Sequence, residues 1–221
     1  MDKNEVLDEL KSVLRGKTFD ALLPPLIYAT VNRFADLNTA LAVAVTLAGL
    51  IGAYRLIKKQ NWYYALAGLL GVALSSGLAF FTRNAAGYFI PAILSSLLLL
   101  LLALITLIIG KPLAAWASHL TRGWPLAWFW RADVIPAYRE VTWGWFVFIA
   151  LRLLAQTLLF QAGDVYTLAW INILLGWPMI IAVLIITYIY GIKRLHQLGG
   201  PGVEEFKNNA RPPWKGQSRG F

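Results

Sequence analysis

The chain has 221 residues, of which 58% are apolar and only 14% are charged, and its formal net charge is +9. A soluble domain carries about 25% charged residues, so this composition excludes an ordinary soluble protein. The uncharged run from Ala85 to Gly110 exceeds the ~20 apolar residues that cross a ~30 Å hydrocarbon core. Because the chain has no cysteine, disulfides and thiolate metal sites are excluded. We therefore expect an all-α, polytopic membrane helical bundle.

The two ends of the chain have different compositions from its middle. Residues 1–18 are charged along their length and lack the apolar core of a cleaved signal peptide. Apolar side chains recur at helical spacing between residues 3 and 15, which predicts an amphipathic helix that lies on the membrane surface or, less favoured, caps the bundle. Residues 199–221 are rich in Gly, Pro and charge, which predicts a disordered tail.

Between these ends, residues 19–198 predict one transmembrane domain of about six helices. The predicted spans cover residues 21–32, 37–54, 62–82, 86–110, 141–161 and 165–191. The first is the weakest, because only about 18 Å of helix separates Asp20 from Arg33 and Pro24-Pro25 lies within it. If it crosses, Arg33 and Asp36 lie on one helix face and are placed to form an ion pair at the outer edge.

The lysines and arginines predict the orientation. If all six segments cross, 17 of the 20 lie on one side, only Arg33 and Arg83 lie on the other, and Arg152 lies inside a span. If the first segment does not cross, the split falls to 13 against 6. The larger asymmetry favours six crossings with both termini cytoplasmic. Positive charge spread along one membrane face indicates contact with lipid and no nucleic acid. Three spans in each half also permit inverted 3+3 topology, as in many transporters.

The predicted cytoplasmic connection at residues 111–140 is unusually aromatic. Five of the ten tryptophans lie between Trp124 and Trp145, in WPLAWFWRADVIPAYREVTWGW. Tryptophan is enriched at the membrane–water interface, so this segment predicts an aromatic belt. Alternatively, it forms a contact for a lipid headgroup or an anionic partner, since arginine binds phosphate through paired hydrogen bonds. That contact would use Trp124, Trp128, Trp130, Arg131 and Arg139.

Small residues at four-residue spacing mark helix packing. They are Ala40, Ala44, Ala48 and Gly52 in the second span, and Ala67, Gly71, Ser75 and Ala79 in the third. Such stripes let helix backbones approach closely in a membrane. They predict tight packing of these helices, against each other or against another copy.

Arg152 lies near the centre of the fifth span, where an arginine costs about 2.5–3.5 kcal/mol on insertion scales. Gln156 shares its helix face, and Asn172 of the sixth span lies at a similar depth. We expect this intramembrane polar site to face the bundle interior. Three possibilities stay open: an ion pair with Asp36 or Asp164, hydrogen bonds to carbonyls freed by a proline, or a wet cavity that holds an anion.

Catalytic motifs do not emerge from the sequence. Both histidines, His119 and His196, lie in predicted cytoplasmic segments, which disfavours a haem site inside the membrane. We find no metal-ligand cluster, phosphate loop or GxSxG elbow. We therefore expect no catalysis, no metal and no cofactor.

The order of four stretches carries a family resemblance that covers roughly residues 22–195. They are FFTRNAAGYFIPAI, GKPL, YREVTWGWFVFIALRLL and AWINILLGWPM. In this order the chain resembles the intracellular septation protein A family, and more strongly a related group of bacterial membrane proteins known as a domain of unknown function. The resemblance implies a polytopic inner-membrane protein linked to envelope maintenance, division or envelope-protein interactions, and it supplies no catalytic or ligand residues.

Residues and resemblance together predict a non-enzymatic interaction partner or subunit of a membrane assembly. We expect its partners to be membrane lipids and either another membrane protein or a second copy of the chain. The alternative is a small transporter or lipid-handling protein with an anion site at Arg152.

Overall fold

The computed structural model describes residues 17–59, 61–217 and 220–221, with side chains from residue 23 onward. All regular structure in this part of the chain is helical. The longer helices are α1 (Lys17–Phe34), α2 (Leu37–Ile57), α3 (Trp62–Thr82), α4 (Ile90–Ile108), α7 (Ile135–Ala162) and α9 (Trp177–Leu198). The shorter helices are α5 (Leu113–Arg122), α6 (Leu126–Phe129), α8 (Val165–Leu174) and α10 (Val203–Lys207), and a 3₁₀ turn at Ala85–Phe89 precedes α4. The amphipathic helix predicted at residues 3–15 lies outside the described residues.

Five segments of the described chain are long and apolar enough to cross a membrane. They are α2, α3, the 3₁₀ turn with α4 (Ala85–Ile108), α7, and α8 continued by α9 (Val165–Leu198). Helix α1 is not among them, because its 18 residues include three charged ones, Lys17, Asp20 and Arg33. The prediction of an all-α polytopic bundle is confirmed, with five rather than six such segments.

Polar residues at the helix starts explain why most predicted boundaries agree with the structure. Asp36, Asn61 and Asp164 each accept a backbone N–H in the first turn of α2, α3 and α8, as N-cap residues do. The helix that contains the fifth predicted span begins at Ile135, six residues before the predicted start of that span at Val141. At ~1.5 Å per residue α7 is about 42 Å long, so it is longer than the ~30 Å hydrocarbon core.

The described chain divides into two compact units. The first contains residues 17–94 and Ala155–Trp177, and the second contains Ser95–Leu154 and Pro178–Phe221. Each unit therefore combines N-terminal and C-terminal segments of the chain. This division does not coincide with two inverted halves of three helices each.

The first unit contains the predicted packing of α2 on α3. Ala40, Ala44 and Ala48 are buried, and a Cβ added to Gly52 would lie 3.9 Å from the carbonyl oxygen of Ala65 in α3. The small-residue stripe of α2 is therefore a packing face. Small residues on such a face let the axes of the two helices approach closely.

Only part of the stripe predicted for α3 is buried within the chain, and its packing against another copy stays a prediction. Ala67 and Gly71 are exposed, and the buried face of this helix consists of Ala65, Ser76 and Ala79. Four-residue steps advance by about 40° each around a helix of 3.6 residues per turn. Ala67 lies three such steps, about 120°, from Ala79, whereas Ala65, Ser76 and Ala79 lie within about 60° of one another on one face.

A tyrosine pair connects α1 to the 3₁₀ turn in the first unit. The ring of Tyr28 stacks on that of Tyr88 with centroids 4.2 Å apart, and the Tyr28 hydroxyl donates a 2.8 Å hydrogen bond to the carbonyl of Ala85. Both rings are buried. Since the buried hydroxyl of Tyr28 has its acceptor, the polar end of this side chain is compatible with an apolar core.

The core of the second unit is aromatic and includes the C-terminal segment. Trp128, Phe129, Tyr138 and Val203 are buried together, and the Trp128 Nε1–H donates a 2.9 Å hydrogen bond to the carbonyl of Pro201. The described part of residues 199–221 is therefore folded, and the prediction of a disordered tail is wrong there. Composition misled because glycine and proline in this segment serve close packing rather than flexibility: a Cβ on Gly200 would lie 2.8 Å from the Asp133 carboxyl carbon.

Candidate functional site

Arg152 lies in α7, ten residues before the helix ends at Ala162, which corresponds to a depth of about 15 Å. Its side chain is half-buried, and its Nε atom is buried without a hydrogen-bond partner. The ion pairs found among the described residues join Arg131 to Asp133, Arg194 to Glu140 and Lys207 to Glu204. Arg152 is therefore a cation inside a membrane-spanning helix that has no counter-charge in the described part of the chain.

The other two residues of the predicted intramembrane site meet in the first unit. Gln156 is completely buried and donates a 2.7 Å hydrogen bond from Nε2 to Oδ1 of Asn172. Asn172 donates its own amide to the carbonyl of Leu168 at 2.8 Å, which fixes the orientation of both amides. Oε1 of Gln156 is consequently left buried without a donor. This amide pair therefore has one buried acceptor oxygen without a partner, and each of its NH2 groups donates one hydrogen bond.

The ion pair predicted between Arg33 and Asp36 is not formed. Helix α1 ends at Phe34, so the two residues do not share a continuous helix face. Asp36 instead accepts hydrogen bonds from Thr39 and Asn38 at the start of α2, and those from Thr39 are the main reason that its pKa is lowered. Such a cap satisfies amide groups that a helix start otherwise leaves unpaired.

Arg33 contacts a different set of groups at this edge of the first unit. Its guanidinium lies 5.0 Å from the centre of the Tyr166 ring. The pKa of Asp164 is lowered by its hydrogen bonds with Thr167 and further by the positive charge of Arg33. Arg33, Asp164 and Tyr166, together with Asn32, line a polar pocket of about 440 Å³.

The five residues of the predicted interfacial contact occupy three different environments in the second unit. Trp128 belongs to the core, and Trp124 and Trp130 are half-buried around it. Arg131 holds both oxygens of Asp133 at 2.8 and 2.7 Å, a hydrogen-bonded pairing that raises the pKa of Arg131. Only Arg139 of the five is exposed. Trp128 is therefore buried in the core, and Arg131 is paired with the carboxylate of Asp133. Because these two side chains are already engaged inside the protein, the prediction of a lipid or partner contact through all five residues is wrong.

Two half-buried aromatic rings of the C-terminal segment also contact Arg131. Its guanidinium lies 5.3 Å from the Trp214 ring centre and 5.9 Å from that of Phe206. Stacking of arginine on aromatic rings is favourable. Arg131, which the sequence suggested as a phosphate ligand, therefore contacts aromatic rings of the C-terminal segment instead.

Sequence reasoning missed a polar cluster that connects the start of α7 to the end of α9. Arg194 donates to Glu140 from Nε at 2.9 Å and from Nη2 at 2.9 Å, and the Tyr190 hydroxyl donates to the same carboxylate at 2.6 Å. Glu140 and Arg194 are 54 residues apart in the chain. No local spacing rule joins residues at that separation, and only the four-residue step from Tyr190 to Arg194 on one helix face could have suggested a shared partner.

The second unit also contains a cavity of about 340 Å³ beneath α5. Apolar side chains of α4, α5, α7 and α9 form most of its wall, and Ser118, Thr121 and Arg122 of α5 provide polar groups. Within the described residues, no group of three or more His, Asp or Glu side chains is placed to hold a metal ion. The polar chemistry at this cavity is therefore that of hydroxyl groups and one guanidinium.

Comparison with known proteins identifies a family but no characterised relative. Residues 15–197 match the sequence model of a family described as "Protein of unknown function (DUF3159)". Neither a curated protein nor a solved structure matches the chain.

Proposed function

The chain belongs to the family of proteins of unknown function DUF3159, and we propose that it acts as a non-enzymatic subunit or interaction partner of a membrane assembly. Five segments compatible with crossing support its place in a membrane. One feature carries the proposal that it has a protein partner: Arg152 has no counter-charge within the described chain. A charged side chain in a span is costly, and it is tolerated when another group pairs with it.

The chemistry of the chain favours a different protein over a second copy as that partner. Its eleven acidic residues lie at the ends of the spanning segments or outside them, and the nearest in sequence to Arg152 are Glu140 and Asp164. A second copy would therefore bring no carboxylate to the middle of the membrane. A partner helix with an Asp or Glu near its centre would bring one. The attraction between the two charges would then offset the cost of removing both of them from water.

We further propose that the protein resides in a bacterial cytoplasmic membrane with its C-terminal segment in the cytoplasm. The distribution of lysine and arginine supports this orientation, because the segments at residues 55–61, 111–140 and 192–221 together carry 13 of the 20. Those three segments lie on one side whether or not α1 crosses. If α1 crosses, the N-terminus joins them.

The resemblance to the septation protein A family suggests where a partner should be sought. That resemblance rests on sequence stretches alone and favours proteins of cell division and envelope maintenance. Lipid contact accompanies any such role, whereas nucleic acid, cofactor and metal have no part in the proposal.

A second candidate function draws on the same unpaired cation. In a transporter or lipid-handling protein, Arg152 would bind the anion through its positive charge. Within the first unit, Gln156 donates to Asn172 and Asn172 donates to the carbonyl of Leu168.

The test is gentle extraction of the protein from its native membrane, followed by mass spectrometry of the proteins and small molecules that accompany it. The wild type is compared with Arg152→Gln, which removes the charge and keeps a polar side chain. Arg211→Gln is the matched control, because Arg211 is exposed and lies outside the membrane-spanning segments. Circular dichroism and size-exclusion profiles verify that each variant is folded.

The possible results separate the two candidates. A stoichiometric protein that accompanies the wild type and Arg211→Gln, and is lost from Arg152→Gln, would support the assembly subunit. An anionic small molecule with the same dependence, and no protein, would support the transporter. Identical co-purification with the wild type and Arg152→Gln would contradict both.

A further inference from the structure

The cavity in the second unit has the build of a site for a lipid chain. Its deep wall is apolar and comes from membrane-spanning helices, with Val141, Trp145 and Ile149 on α7 and Leu184 on α9. From Val141 to Ile149 the wall follows α7 for about 12 Å. The volume of about 340 Å³ falls within the range of ~300–1,000 Å³ that is typical of small-molecule sites.

The roof of the cavity is fixed in place. Helix α5 is joined to α7 by a 3.1 Å hydrogen bond from the Ala114 amide to the Thr142 hydroxyl. Thr142 is buried and donates in turn to the carbonyl of Tyr138. The Phe221 ring, which also lines the cavity, stacks on Tyr138 at 4.3 Å. The space is therefore bounded by packed elements rather than by loose side chains.

Arg122 provides a positive charge at the α5 side of the cavity. Its Nε donates to the main-chain oxygen of Phe221 at 3.1 Å, and its guanidinium lies 5.2 Å from the centre of the Trp124 ring. No Asp or Glu side chain among the described residues pairs with it. The side chain is thus held in position, and its two terminal nitrogens donate no hydrogen bond to another described residue, which is an arrangement suited to a phosphate oxygen.

We propose that this cavity holds an acyl chain of an anionic phospholipid, with the lipid phosphate on Arg122. The apolar wall belongs to helices that cross the hydrocarbon layer, and α5 and Arg122 belong to the basic connection between spans, so the two ends of the site match the two ends of a lipid. A soluble anion would make no contact with the apolar wall of the cavity. An apolar peptide would leave Arg122 without a counter-charge, so charge complementarity favours the lipid.

The experiment uses the full chain reconstituted in phosphatidylcholine vesicles that contain a small fraction of phosphatidylglycerol with a photoactivatable group on one acyl chain. After illumination, mass spectrometry locates the labelled residues. We expect labelling at the less exposed part of the cavity wall, at Trp145 or Ile149. The same probe on phosphatidylcholine is expected to label these positions about fivefold less, because one basic side chain favours an anionic lipid by roughly that ratio.

Two variants with matched controls test the two ends of the site. Ala117→Trp fills the cavity from α5 and should abolish labelling of the wall, whereas Ala127→Trp, at an exposed position outside the cavity, should not. Arg122→Gln should equalise the two lipids, whereas Arg211→Gln should keep the preference. Thermal unfolding checks that the variants are folded.

The proposal is overturned if labelling is confined to the exposed apolar faces, such as Leu151 and Leu158, or if Ala117→Trp leaves labelling of the wall unchanged. Equal labelling by both lipids in the wild type would overturn the assignment of the phosphate to Arg122. The outcome is independent of Arg152, which does not line the cavity.

Discussion

Glu140 on α7 and Arg194 on α9 form a bidentate salt bridge, and their nearest nitrogen and oxygen atoms are 2.9 Å apart. Two guanidinium nitrogens contact the two carboxylate oxygens, and Tyr190 donates a third hydrogen bond to the same carboxylate. About a third of each side chain is exposed, so solvent screens the pair. The geometry nevertheless fixes how the two helices meet in the second unit, because a paired arginine–carboxylate contact has a defined orientation.

We predict that Glu140→Gln lowers the thermal unfolding midpoint of the extracted protein by a small amount. The variant loses the ionic contact with Arg194 but keeps one acceptor for it. Glu204→Gln is the matched control, since Glu204 pairs with Lys207 on a single short helix and is 80% exposed. Equal midpoints for the two variants would show that the Glu140–Arg194 pair contributes nothing to stability.

We predict that Trp128→Phe loosens the C-terminal segment. Phenylalanine keeps an aromatic ring at this position but has no N–H group. The buried carbonyl of Pro201 therefore loses its hydrogen-bond donor, which costs about 1–3 kcal/mol. Limited trypsin digestion should then cleave after Lys207 and Lys215 faster than in the wild type. Trp143→Phe, in which the exposed ring of Trp143 on α7 is replaced, should digest like the wild type.

We predict that docking of the same segment depends on pH through Glu205. Its carboxylate accepts hydrogen bonds from the amides of Lys215, Gly202 and Gly216, which lower its pKa from the ordinary value of 4.5. The carboxylate is therefore easier to ionise in the docked state than in the undocked state. This contribution is fully present above pH 4.5 and disappears as the pH falls through the lower, docked pKa.

A fluorescent dye on a single cysteine at Ala210 measures this effect, since the chain has no other cysteine. Dye anisotropy should fall when the pH drops below 4.5 in the wild-type background. In Glu205→Gln it should already be low at neutral pH and should change little on acidification. Glu204→Gln should behave like the wild type, and a pH profile unaffected by Glu205→Gln would refute the prediction.

We predict opposite outcomes for two identical substitutions on neighbouring helices. Ala44→Leu places a larger side chain in the contact between α2 and α3, where Ala44 is fully buried, and should cost about 1–3 kcal/mol by overpacking. Ala67→Leu changes an exposed position and should leave the unfolding midpoint nearly unchanged. Comparable losses for both variants would mean that the face containing Ala67 and Gly71 is also a packing surface.

The membrane class, the helical fold and most helix boundaries could be predicted because they depend on local patterns. Uncharged stretches of sufficient length define α2, α3 and α4, and polar residues such as Asp36 and Asp164 mark where helices start. The break at Gly176-Trp177-Pro178 was likewise predictable, because proline interrupts a helix. Gly176 is also required by packing, since a Cβ there would lie 2.6 Å from the carbonyl oxygen of Asn172.

The candidate sites were predicted only in part, because their partners lie far apart in sequence. Depth along the helices brought Gln156 and Asn172 together correctly, since helix rise is regular. The pairing of Arg33 with Asp36 failed because a helix end falls between them. Trp128 and Arg131 were assigned to a surface because composition does not reveal that the segment from Gly199 to Phe221 covers them.

The sequence by itself determined that this is a helical membrane protein with an isolated arginine in its fifth predicted span and most of its positive charge in the segments between and beyond the apolar ones. These properties follow from hydropathy and charge, which every residue carries regardless of its neighbours. Only the tertiary structure decided that Arg152 lacks a counter-charge in the described chain, that Arg194 binds Glu140, and that Arg122 lies beside an apolar cavity. Those three outcomes depend on which side chains meet across distant segments, and close packing rather than composition decides such meetings.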